Sequence, residues 1–308
     1  MRLRIGTRGS GLALVQAADV ARRLQAHGHE AELIVISTEG DRLTDRAFTD
    51  VGAFGIFVRE IEAALLDGRI DIAVHSYKDL PSQCPDGLVV AAVPERLDPA
   101  DVLLARPGVL KWDSSLLPLR HGALVGTSAA RRRALVRAAR PDLKLGLLRG
   151  NVPTRVRALA DGRFDAIVVA AAGLLRLERA ADSALAIDQA HIVRMRLDPA
   201  TFVPAPTQGA VAVQVRAEVT TVRDAVAAID DHRIAPALRT ERAALAIAEG
   251  GCSLPFGAWC EVQPGGTLQL IAALGLADGT IARSSVTGRD PDALAEAAWR
   301  DLQCEVRA

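Results

Sequence analysis

The stretch Ile72-Ala-Val-His-Ser-Tyr-Lys-Asp-Leu-Pro81 decides how the rest of the chain is arranged. It opens with the apolar run Ile72 to Val74, which predicts a short buried strand. Polar and charged side chains follow, at His75, Ser76, Lys78 and Asp79, before Pro81 ends the segment. Open α/β sheets bind ligands just beyond the carboxyl ends of their strands. The stretch therefore predicts an α/β fold with a candidate site in this turn.

Asp79 is the candidate catalytic residue of the turn. A carboxylate beside Lys78, at the mouth of a sheet, suits hydrogen bonding to a substrate N–H and stabilisation of developing positive charge. A turn capped by Asp79 and flanked by a solvated Lys78 fits the same residues equally well. The segment alone leaves both interpretations open.

Composition limits the class of protein. The 308 residues suggest two or three domains, and an apolar content of 50% is enough to bury a core. Basic and acidic residues both number 37, so the formal net charge is zero, which argues against a general nucleic-acid binder. Arginine is used in place of lysine almost everywhere, since the only lysines are Lys78, Lys111 and Lys144.

Cysteine usage and the apolar segments favour a cytoplasmic location. The 4 cysteines form no C-x-x-C pair and no metal-ligand spacing, so neither a disulfide framework nor a metal site is predicted. The first eight residues contain no continuous apolar region and no small-residue cleavage site. No stretch is apolar and long enough to cross a membrane. We therefore expect a soluble protein with reduced thiols.

Three predicted strand-to-helix turns carry arginine. They follow predicted strands at Leu3–Gly6, Ala123–Gly126 and Leu143–Leu148. Helix N-termini present free N–H groups, and arginine binds carboxylates and phosphates through paired hydrogen bonds. The arginines of these turns are Arg8, Arg131 with Arg132, and Arg149 with Arg155.

These turns together indicate a site for several carboxylates or phosphates. Ser10 is predicted to cap the first of the helices, and Thr127 with Ser128 the second. Basic residues in a first helical turn oppose the helix dipole, and a bound anion would relieve that destabilisation. A set of solvated helix faces is the alternative. No P-loop or G-x-G-x-x-G motif occurs, so nucleotide phosphates are not favoured.

The remaining segments predict a loop, two crossings and a tail domain. Residues 39–56 lack clear periodicity, which is typical of a functional loop or a mobile lid. Arg96–Asp101 and Val203–Gly209 are predicted crossings between two α/β lobes, which would form a hinged cleft. A small α+β domain is predicted in the tail, from a helix at Pro236–Ala248, a strand at Leu268–Ala273 and a helix at Asp292–Leu302.

Cys252 lies in the glycine-rich loop Gly250-Gly-Cys-Ser-Leu-Pro255. Glycines let the backbone bend and approach a ligand closely, so a thiol there could be a covalent attachment point. No histidine partner is assigned to it by the sequence. An inert small residue is therefore the alternative interpretation.

Taken in order, these motifs resemble the porphobilinogen deaminase family, also called hydroxymethylbilane synthases, of tetrapyrrole biosynthesis. The resemblance runs from about Ile5 to the C-terminus. Each motif alone is weakly specific, but their order and spacing together are highly specific. The motifs are Thr7-Arg-Gly-Ser10, Val74-His-Ser-Tyr-Lys-Asp79, Gly126-Thr-Ser128 with Arg131-Arg132, Arg149-Gly-Asn151, Gln208-Gly-Ala210 and Glu249-Gly-Gly-Cys252.

The resemblance implies a three-domain α/β fold. Two similar lobes of the type II periplasmic-binding-protein kind would be joined by two crossing strands and followed by a small α+β C-terminal domain that carries the cofactor cysteine. The expected boundaries are residues 1–98 with 204–227 for domain 1, 99–203 for domain 2, and 228–308 for domain 3. The family resemblance also leads us to expect a monomer.

The same resemblance implies the chemistry. A dipyrromethane cofactor, made by the enzyme from its own substrate, would be held by a thioether on Cys252. Four porphobilinogen molecules would be added in turn with loss of ammonia, and the linear tetrapyrrole would be released by hydrolysis. Asp79 would bind pyrrole N–H groups, stabilise a cationic azafulvene electrophile and move protons. Neither a metal, a nucleic acid nor a membrane is an implied partner.

The acetate and propionate groups of the pyrrole rings would explain the arginines. By the resemblance, the cofactor-binding residues besides Cys252 would be Lys78, Ser128, Arg131, Arg132, Arg149, Asn151 and Gln208. The substrate-binding residues would be Arg8, Ser10, Ser76, Thr127, Arg149 and Arg155.

The chain departs from the family pattern in its loops and turns. The loop near Asp50 and Phe54 lacks lysines that some relatives place there, and the segment from about Leu177 to Pro204 looks longer than in many relatives. Loop function and movement of the growing chain are the properties that such departures affect. The single-residue departures are Tyr77 for Met, Ala129-Ala130 for Ser-Leu, and Pro153 for Gly.

Two other functions fit parts of the sequence. Two α/β lobes with arginines at strand ends would suit a solute-binding protein for a carboxylate ligand, although Cys252 would then have no task. The arginines between Arg131 and Arg140 would suit an RNA-associated protein. Zero net charge and the low aromatic content weigh against that second function.

Overall fold

The computed structural model of the chain describes residues 1–36, 56–111, 115–180, 192–248 and 254–307. The strands are β1 (Arg2–Thr7), β2 (Glu30–Val35), β3 (Ile72–Ser76), β4 (Leu88–Ala92), β5 (Asp101–Ala105), β6 (Leu124–Gly126), β7 (Lys144–Gly146), β8 (Ala166–Ala170), β9 (Val193–Arg196), β10 (Val211–Arg216), β11 (Phe256–Val262), β12 (Leu268–Gly275) and β13 (Ile281–Gly288). The helices are α1 (Gly11–Ala26), α2 (Ile56–Leu66), α3 (Ala130–Ala139), α4 (Val152–Ala160), α5 (Ala171–Arg179), α6 (Thr220–Ala227), α7 (Ala235–Ile247) and α8 (Pro291–Arg307).

Several predicted features lie outside the described residues. They include Cys252, the positions Asp50 and Phe54, and residues 181–191 of the long segment. The predicted lid at 39–56 also lies outside, except for its last residue, which begins α2.

The chain divides into two compact units. Unit 1 comprises Met1–Leu97 and Gly209–Ala235, and unit 2 comprises Asp98–Gln208 and Pro236–Ala308. The first passage between the units falls within the predicted crossing Arg96–Asp101. The return passage falls at the end of the predicted crossing Val203–Gly209.

Unit 1 is built on a five-stranded sheet in the order β2-β1-β3-β10-β4. β1 is parallel to β2 and β3, whereas β10 is antiparallel to β3 and β4. Alternate residues of a strand face opposite sides of its sheet. Ile72 and Val74 of β3 accordingly pack with α1, while Ala73 packs with α2 on the other face. Helices on both faces explain why β3 is a continuous apolar run.

Unit 2 contains a second five-stranded sheet, in the order β7-β6-β8-β5-β9. β6 is parallel to β7 and β8, and β5 is antiparallel to β8 and β9. Leu103 of β5 packs with α3 on one face, and its neighbour Leu104 packs with α4 and α5 on the other. The five strands have the same order and directions as those of unit 1, which confirms two similar lobes.

The rest of unit 2 is a three-stranded antiparallel sheet, β11-β12-β13, packed against α7 and α8. Its core includes Phe256, whose ring meets that of Trp299 edge-on with centroids 6.2 Å apart. This arrangement confirms the predicted small α+β tail.

Several local predictions were wrong or incomplete. Thr127 and Ser128 do not cap α3, because the helix begins at Ala130 and Ala129 is an N-cap that makes no side-chain hydrogen bond. The strands β5, β9, β11 and β13 and the helix α5 were not predicted. β5 is an apolar run directly after the predicted crossing, and local periodicity cannot tell such a run from a connecting segment.

No helix in the described part of the chain is both long and apolar enough to cross a membrane. Within the same ranges, no group of three or more His, Cys, Asp or Glu side chains is placed to hold a metal ion.

Candidate active site

The turn that follows β3 lies at the carboxyl edge of the unit 1 sheet. β1 and β3 run parallel in register, with Ile5 opposite Ile72, so the residues that follow both strands emerge at the same edge. Tyr77–Asp79 form a 3-10 turn, and the Tyr77 amide donates to the Ala210 carbonyl of β10 at 3.0 Å. The sheet therefore fixes the backbone of the turn.

Asp79 is half-buried in this turn. Its carboxylate makes no hydrogen bond and no ion pair with any other described residue. Carboxylates that serve only a structural role normally accept hydrogen bonds when they are partly buried. Asp79 is thus held by the backbone while its oxygens remain available to a ligand.

The turn after β1 holds Arg8 and Ser10. Ser10 is the N-cap of α1, and its Oγ accepts a hydrogen bond from the Ala13 amide at 3.4 Å, which confirms the predicted cap. Arg8 is half-buried between the end of β1 and this cap. Because β1 and β3 are neighbours, the turns with Arg8 and Asp79 lie at one sheet edge.

Gln16 was missed by the sequence analysis. It is buried on α1, its Nε2 donates to Ser76 Oγ at 3.0 Å, and Ser76 Oγ donates back to Gln16 Oε1 at 3.2 Å. This pair fixes the last residue of β3 from the helix side. An amide on the apolar face of an amphipathic helix was the signal that could have revealed it.

A second buried polar group lies behind the same strand. His75 on β3, Gln214 on β10 and Glu62 on α2 are all buried, and Gln214 Nε2 donates to Glu62 Oε1 at 3.0 Å. Burial lowers the pKa of His75 to about 4, so its imidazole is neutral near pH 7. Burial also raises the pKa of Glu62.

The carboxyl edge of the unit 2 lobe is formed by the turns after β6 and β7. Gly126 and Gly146 are register partners, and the Thr127 amide donates to the Gly146 carbonyl at 3.0 Å. Ser128 Oγ donates to the Leu148 carbonyl at 2.6 Å, which joins the two turns instead of capping α3. Thr127 is buried and Ser128 is half-buried.

Arg131 and Arg132 lie in the first turn of α3 and are both buried around Asp101, the first residue of β5. Asp101 Oδ2 accepts from Arg131 Nη2 at 2.8 Å, and Asp101 Oδ1 accepts from Arg132 Nη2 at 2.7 Å. Burial alone would raise the pKa of Asp101. The two guanidinium charges and their hydrogen bonds outweigh this effect, so its pKa lies below the usual range.

The other donors of the pair are directed at backbone carbonyls. Arg131 Nη1 donates to the Val203 carbonyl at 2.7 Å, and Arg132 Nη1 donates to the Val168 carbonyl at 3.1 Å. Burial lowers the pKa of Arg131, although the Asp101 charge opposes this. The predicted anion-binding arginines are therefore rigid side chains rather than free surface groups.

Gln208 belongs to the same cluster. Its Nε2 donates to Asp101 Oδ1 at 2.9 Å and to the Pro99 carbonyl at 2.7 Å. Its neighbour Thr207 has a φ of 59°, and the Thr207 amide donates to Glu241 Oε2 on α7 at 2.6 Å. Glu241 is fully buried, and its Oε1 accepts from the Cys260 amide of β11 at 2.7 Å. The tail domain thus holds the segment that carries Gln208.

The turn before α4 contains the third predicted arginine group. Asn151 caps the helix, because its Oδ1 accepts from the Thr154 amide at 2.9 Å. Arg155 is half-buried, and its Nε donates to the Gly150 carbonyl at 2.7 Å, while Arg149 is exposed. Gly150 has a φ of 98°, which a residue with a side chain rarely adopts.

The predicted residues therefore form two groups, one in each unit. The unit 1 group is Arg8, Ser10, Ser76, Lys78 and Asp79. The unit 2 group is Thr127, Ser128, Arg131, Arg132, Arg149, Asn151, Arg155 and Gln208. Among the described residues, the buried charged side chains that the sequence analysis did not consider are Glu62, Asp101, Asp165, Arg176 on α5 and Glu241.

Comparison with known proteins identifies the family. Residues 3–224 match the family model described as porphobilinogen deaminase, dipyromethane cofactor binding domain, and residues 236–301 match porphobilinogen deaminase, C-terminal domain. The chain is 40% identical over 310 residues to the porphobilinogen deaminase of Lachnospira eligens, covering 99% of this chain and 100% of that protein. It is 42% identical over 294 residues to that of Brevibacillus brevis, covering 94% of this chain and 90% of that protein.

Solved structures of solute-binding proteins are similar at a lower level. An ancestral cationic amino acid solute binding protein is 14% identical, with a TM-score of 0.43 over 74% of this chain and 87% of the other. The family models and the relatives span nearly all of the chain, including both arginine-bearing edges and the tail domain. The chain belongs to the porphobilinogen deaminase family.

Proposed function

We propose that the protein is a hydroxymethylbilane synthase, a transferase that joins four porphobilinogen molecules with loss of ammonia and releases the linear product by hydrolysis. The observation that carries this proposal is Asp79. Its carboxylate has no partner among the described residues, yet the backbone around it is fixed at the carboxyl edge of a sheet. A carboxylate held in this way suits binding of pyrrole N–H groups and stabilisation of a cation.

The donor set of unit 2 fits the dipyrromethane that the family model names. Each ring of that cofactor carries carboxylates, and the buried pair Arg131 and Arg132 has more positive charge than Asp101 neutralises. Arg149 and Arg155 add two further cations of unit 2 that can bind carboxylates. When bound, the dipyrromethane supplies the nucleophilic pyrrole carbon from which the chain grows.

The roles of the remaining residues follow from their chemistry. Asp79 accepts hydrogen bonds from pyrrole N–H groups and receives the proton that leaves the reacting ring. Arg8 and Ser10, beside the α1 N-terminus, bind substrate carboxylates, as do Thr127 and Arg155 in unit 2. Ser76, fixed by Gln16, orients the turn that carries Asp79. Lys78, Ser128, Asn151 and Gln208 hold the cofactor together with the arginine pair.

We assign covalent attachment of the cofactor to Cys252, through a thioether. The family resemblance of Glu249-Gly-Gly-Cys252 supports this assignment. Cys84, Cys260 and Cys304 form no disulfide in the described part of the chain, and Cys260 is buried in the tail sheet. The proposed domains are 1–98 with 204–227, 99–203, and 228–308. A cytoplasmic monomer is part of the same proposal.

Intact-mass measurement tests this function. We expect the purified chain to exceed its sequence mass by two pyrrole units, and we expect Cys252→Ser to show the sequence mass alone. Incubation with porphobilinogen should add further pyrrole units to the first protein and release ammonia. Binding of porphobilinogen without ammonia release, in a chain with no added mass, would instead indicate a solute-binding protein.

A further inference from the structure

The cluster of Asp101, Arg131 and Arg132 in unit 2 carries unbalanced charge. The side chain of Asp101 is 0% exposed, and those of Arg131 and Arg132 are 7% and 6% exposed. No other carboxylate in the described ranges forms an ion pair with either arginine. One negative charge therefore faces two positive charges, and the cluster has one net positive charge.

Nothing in the helix that carries the arginines offsets this charge. The first turn of α3 contains no acidic residue, and its N-cap Ala129 provides no side-chain acceptor. The N-terminal end of a helix is itself positive, so it adds to the field of the two guanidinium groups. Burying a charge without a counter-charge is strongly unfavourable. The cluster consequently favours an anion from outside the described residues.

Asp101 also fixes where the two guanidinium groups point. It accepts from Arg132 through both Nε and Nη2, at 3.2 and 2.7 Å, and from Arg131 through Nη2 at 2.8 Å. Carbonyls of Val203 and Val168 hold the opposite nitrogens. These bonds use only part of the N–H donors of the two guanidinium groups. The unused donors remain available to a ligand.

We propose that Asp101 is a positioning residue that holds Arg131 and Arg132 for one ligand carboxylate and no more. One carboxylate brings the cluster to neutrality, whereas two would leave a buried negative charge. A chain without Asp101 would have two unsatisfied cations in variable orientations. This inference rests on the proposed function, because the dipyrromethane is the ligand that would supply the carboxylate.

Asp165 provides a matched control in the same lobe. Its carboxylate also joins two arginines, accepting from Arg106 Nη2 at 2.9 Å and from Arg120 Nη2 at 3.2 Å, and it accepts the Leu124 amide at 2.9 Å. Asp165 immediately precedes β8. Asp101 pairs with Ala170, the last residue of β8, so the two carboxylates lie at opposite edges of the sheet. Asp165→Asn breaks the same kind of cluster away from the proposed ligand.

The experiment compares wild type, Asp101→Asn and Asp165→Asn, each purified in the same way. Intact mass gives the fraction of chains that carry the two-pyrrole addition, and a thermal melt gives the stability of each protein. We expect both variants to melt at lower temperature. We expect the fraction of loaded chains to fall only in Asp101→Asn, by about tenfold. A loss of this size is typical when a charged hydrogen-bond partner is removed from a binding site.

Kinetics on the loaded chains separates positioning from folding. For Asp101→Asn, kcat per loaded chain should fall severalfold while KM for porphobilinogen stays within about twofold, because the attached cofactor, and not the incoming substrate, loses a carboxylate contact that orients it. If Asp101→Asn does not fold, Asp101→Glu keeps the charge and moves the carboxylate by one methylene. Its loading should fall between wild type and zero.

Each outcome decides the proposal. Wild-type loading and wild-type kcat per loaded chain in Asp101→Asn, or in Asp101→Glu where that variant replaces it, would overturn it. Equal loss of loading in Asp101→Asn and Asp165→Asn would show a purely structural role and would also overturn it. A wild-type chain without added mass and without ammonia release would remove the proposed function, and with it the ligand that this inference requires.

Discussion

At the scale of the residue, the sequence pattern and the structure agree on Asp79 for different reasons. The pattern places a carboxylate directly after an apolar strand. The structure shows that the 3-10 turn carrying it is fixed by the Tyr77 amide, while the carboxylate has no partner among the described residues. A side chain that forms no hydrogen bond or ion pair with the described residues, on a backbone that is firmly held, suits a catalytic role.

Asp79→Asn should abolish most activity without changing stability. The amide keeps the shape of the side chain but removes the negative charge, so ammonia release should fall by about two to four orders of magnitude. The melting temperature should stay close to that of wild type, because no hydrogen bond or ion pair among the described residues is lost. Continuous measurement of ammonia release, with a thermal melt, checks both expectations.

Asp86→Asn is the matched control for that variant. Asp86 is an exposed carboxylate seven positions along the same chain segment, and we expect its removal to leave both readouts unchanged. Near-normal ammonia release by Asp79→Asn would contradict the assigned role of Asp79.

At the scale of the element, β11 explains how the tail domain meets the second lobe within unit 2. A Cβ added to Gly257 would lie 2.8 Å from the Val203 carbonyl oxygen and 2.9 Å from that of Pro204. The neighbouring Ala258 amide donates to the Pro204 carbonyl at 3.0 Å. The strand therefore runs directly beside the segment that also accepts a hydrogen bond from Arg131.

Gly257→Ala should destabilise the protein and weaken cofactor loading. The new methyl group meets two backbone oxygens, which cannot move aside as a flexible side chain can, so we expect a loss of about 1–3 kcal/mol in the free energy of unfolding. Denaturant unfolding measures this loss, and intact mass measures loading.

Gly108→Ala controls for the general effect of replacing a glycine. A Cβ at Gly108 would have no neighbour within 4 Å, and the residue has no positive φ. We expect its stability to match or exceed that of wild type. Equal stability of the Gly257 and Gly108 variants would mean that β11 does not approach this segment closely.

At the scale of the whole molecule, the buried His75 gives a defined pH dependence of stability. Its pKa is lowered to about 4 in the folded chain, against about 6.5 for an unperturbed histidine. Between these values the unfolded chain binds a proton that the folded chain does not, so stability falls as pH decreases from about 6.5 to 4. Glu62 acts in the opposite sense, because its raised pKa favours the folded state at low pH.

His75→Gln should flatten the stability profile below pH 6.5. As pH falls from 6.5 to 4, the free energy of unfolding of wild type should decrease by up to about 3 kcal/mol more than that of the variant. The variant should therefore be the more acid-tolerant protein. Urea unfolding of both proteins across that range measures it. Parallel profiles of the two proteins would show that the pKa of His75 is the same in the folded and unfolded chains, which would contradict the lowered value.

Local patterns predicted a large part of this architecture. The apolar strands at the cores of both lobes, the Ser10 cap and the turn with Asp79 follow from periodicity and turn chemistry, which act over a few residues. The predictions failed where the signal was not local. β5 begins at the end of a segment that was predicted to be a crossing between lobes. Ser128 does not cap α3, because its hydroxyl donates to the Leu148 carbonyl, which is 20 positions later in the chain.

The sequence by itself determined the α/β class, the family, and the residue types at each sheet edge, because these depend on short-range periodicity and on ordered motifs. Only the tertiary structure decided that Asp101 neutralises part of the charge on Arg131 and Arg132, and that Gln208 and Glu241 hold the same region. Asp101 and Gln208 are 107 positions apart in the chain. Contacts of this kind form when packing excludes water and leaves each buried charge in need of a partner, and no local pattern specifies which partner that is.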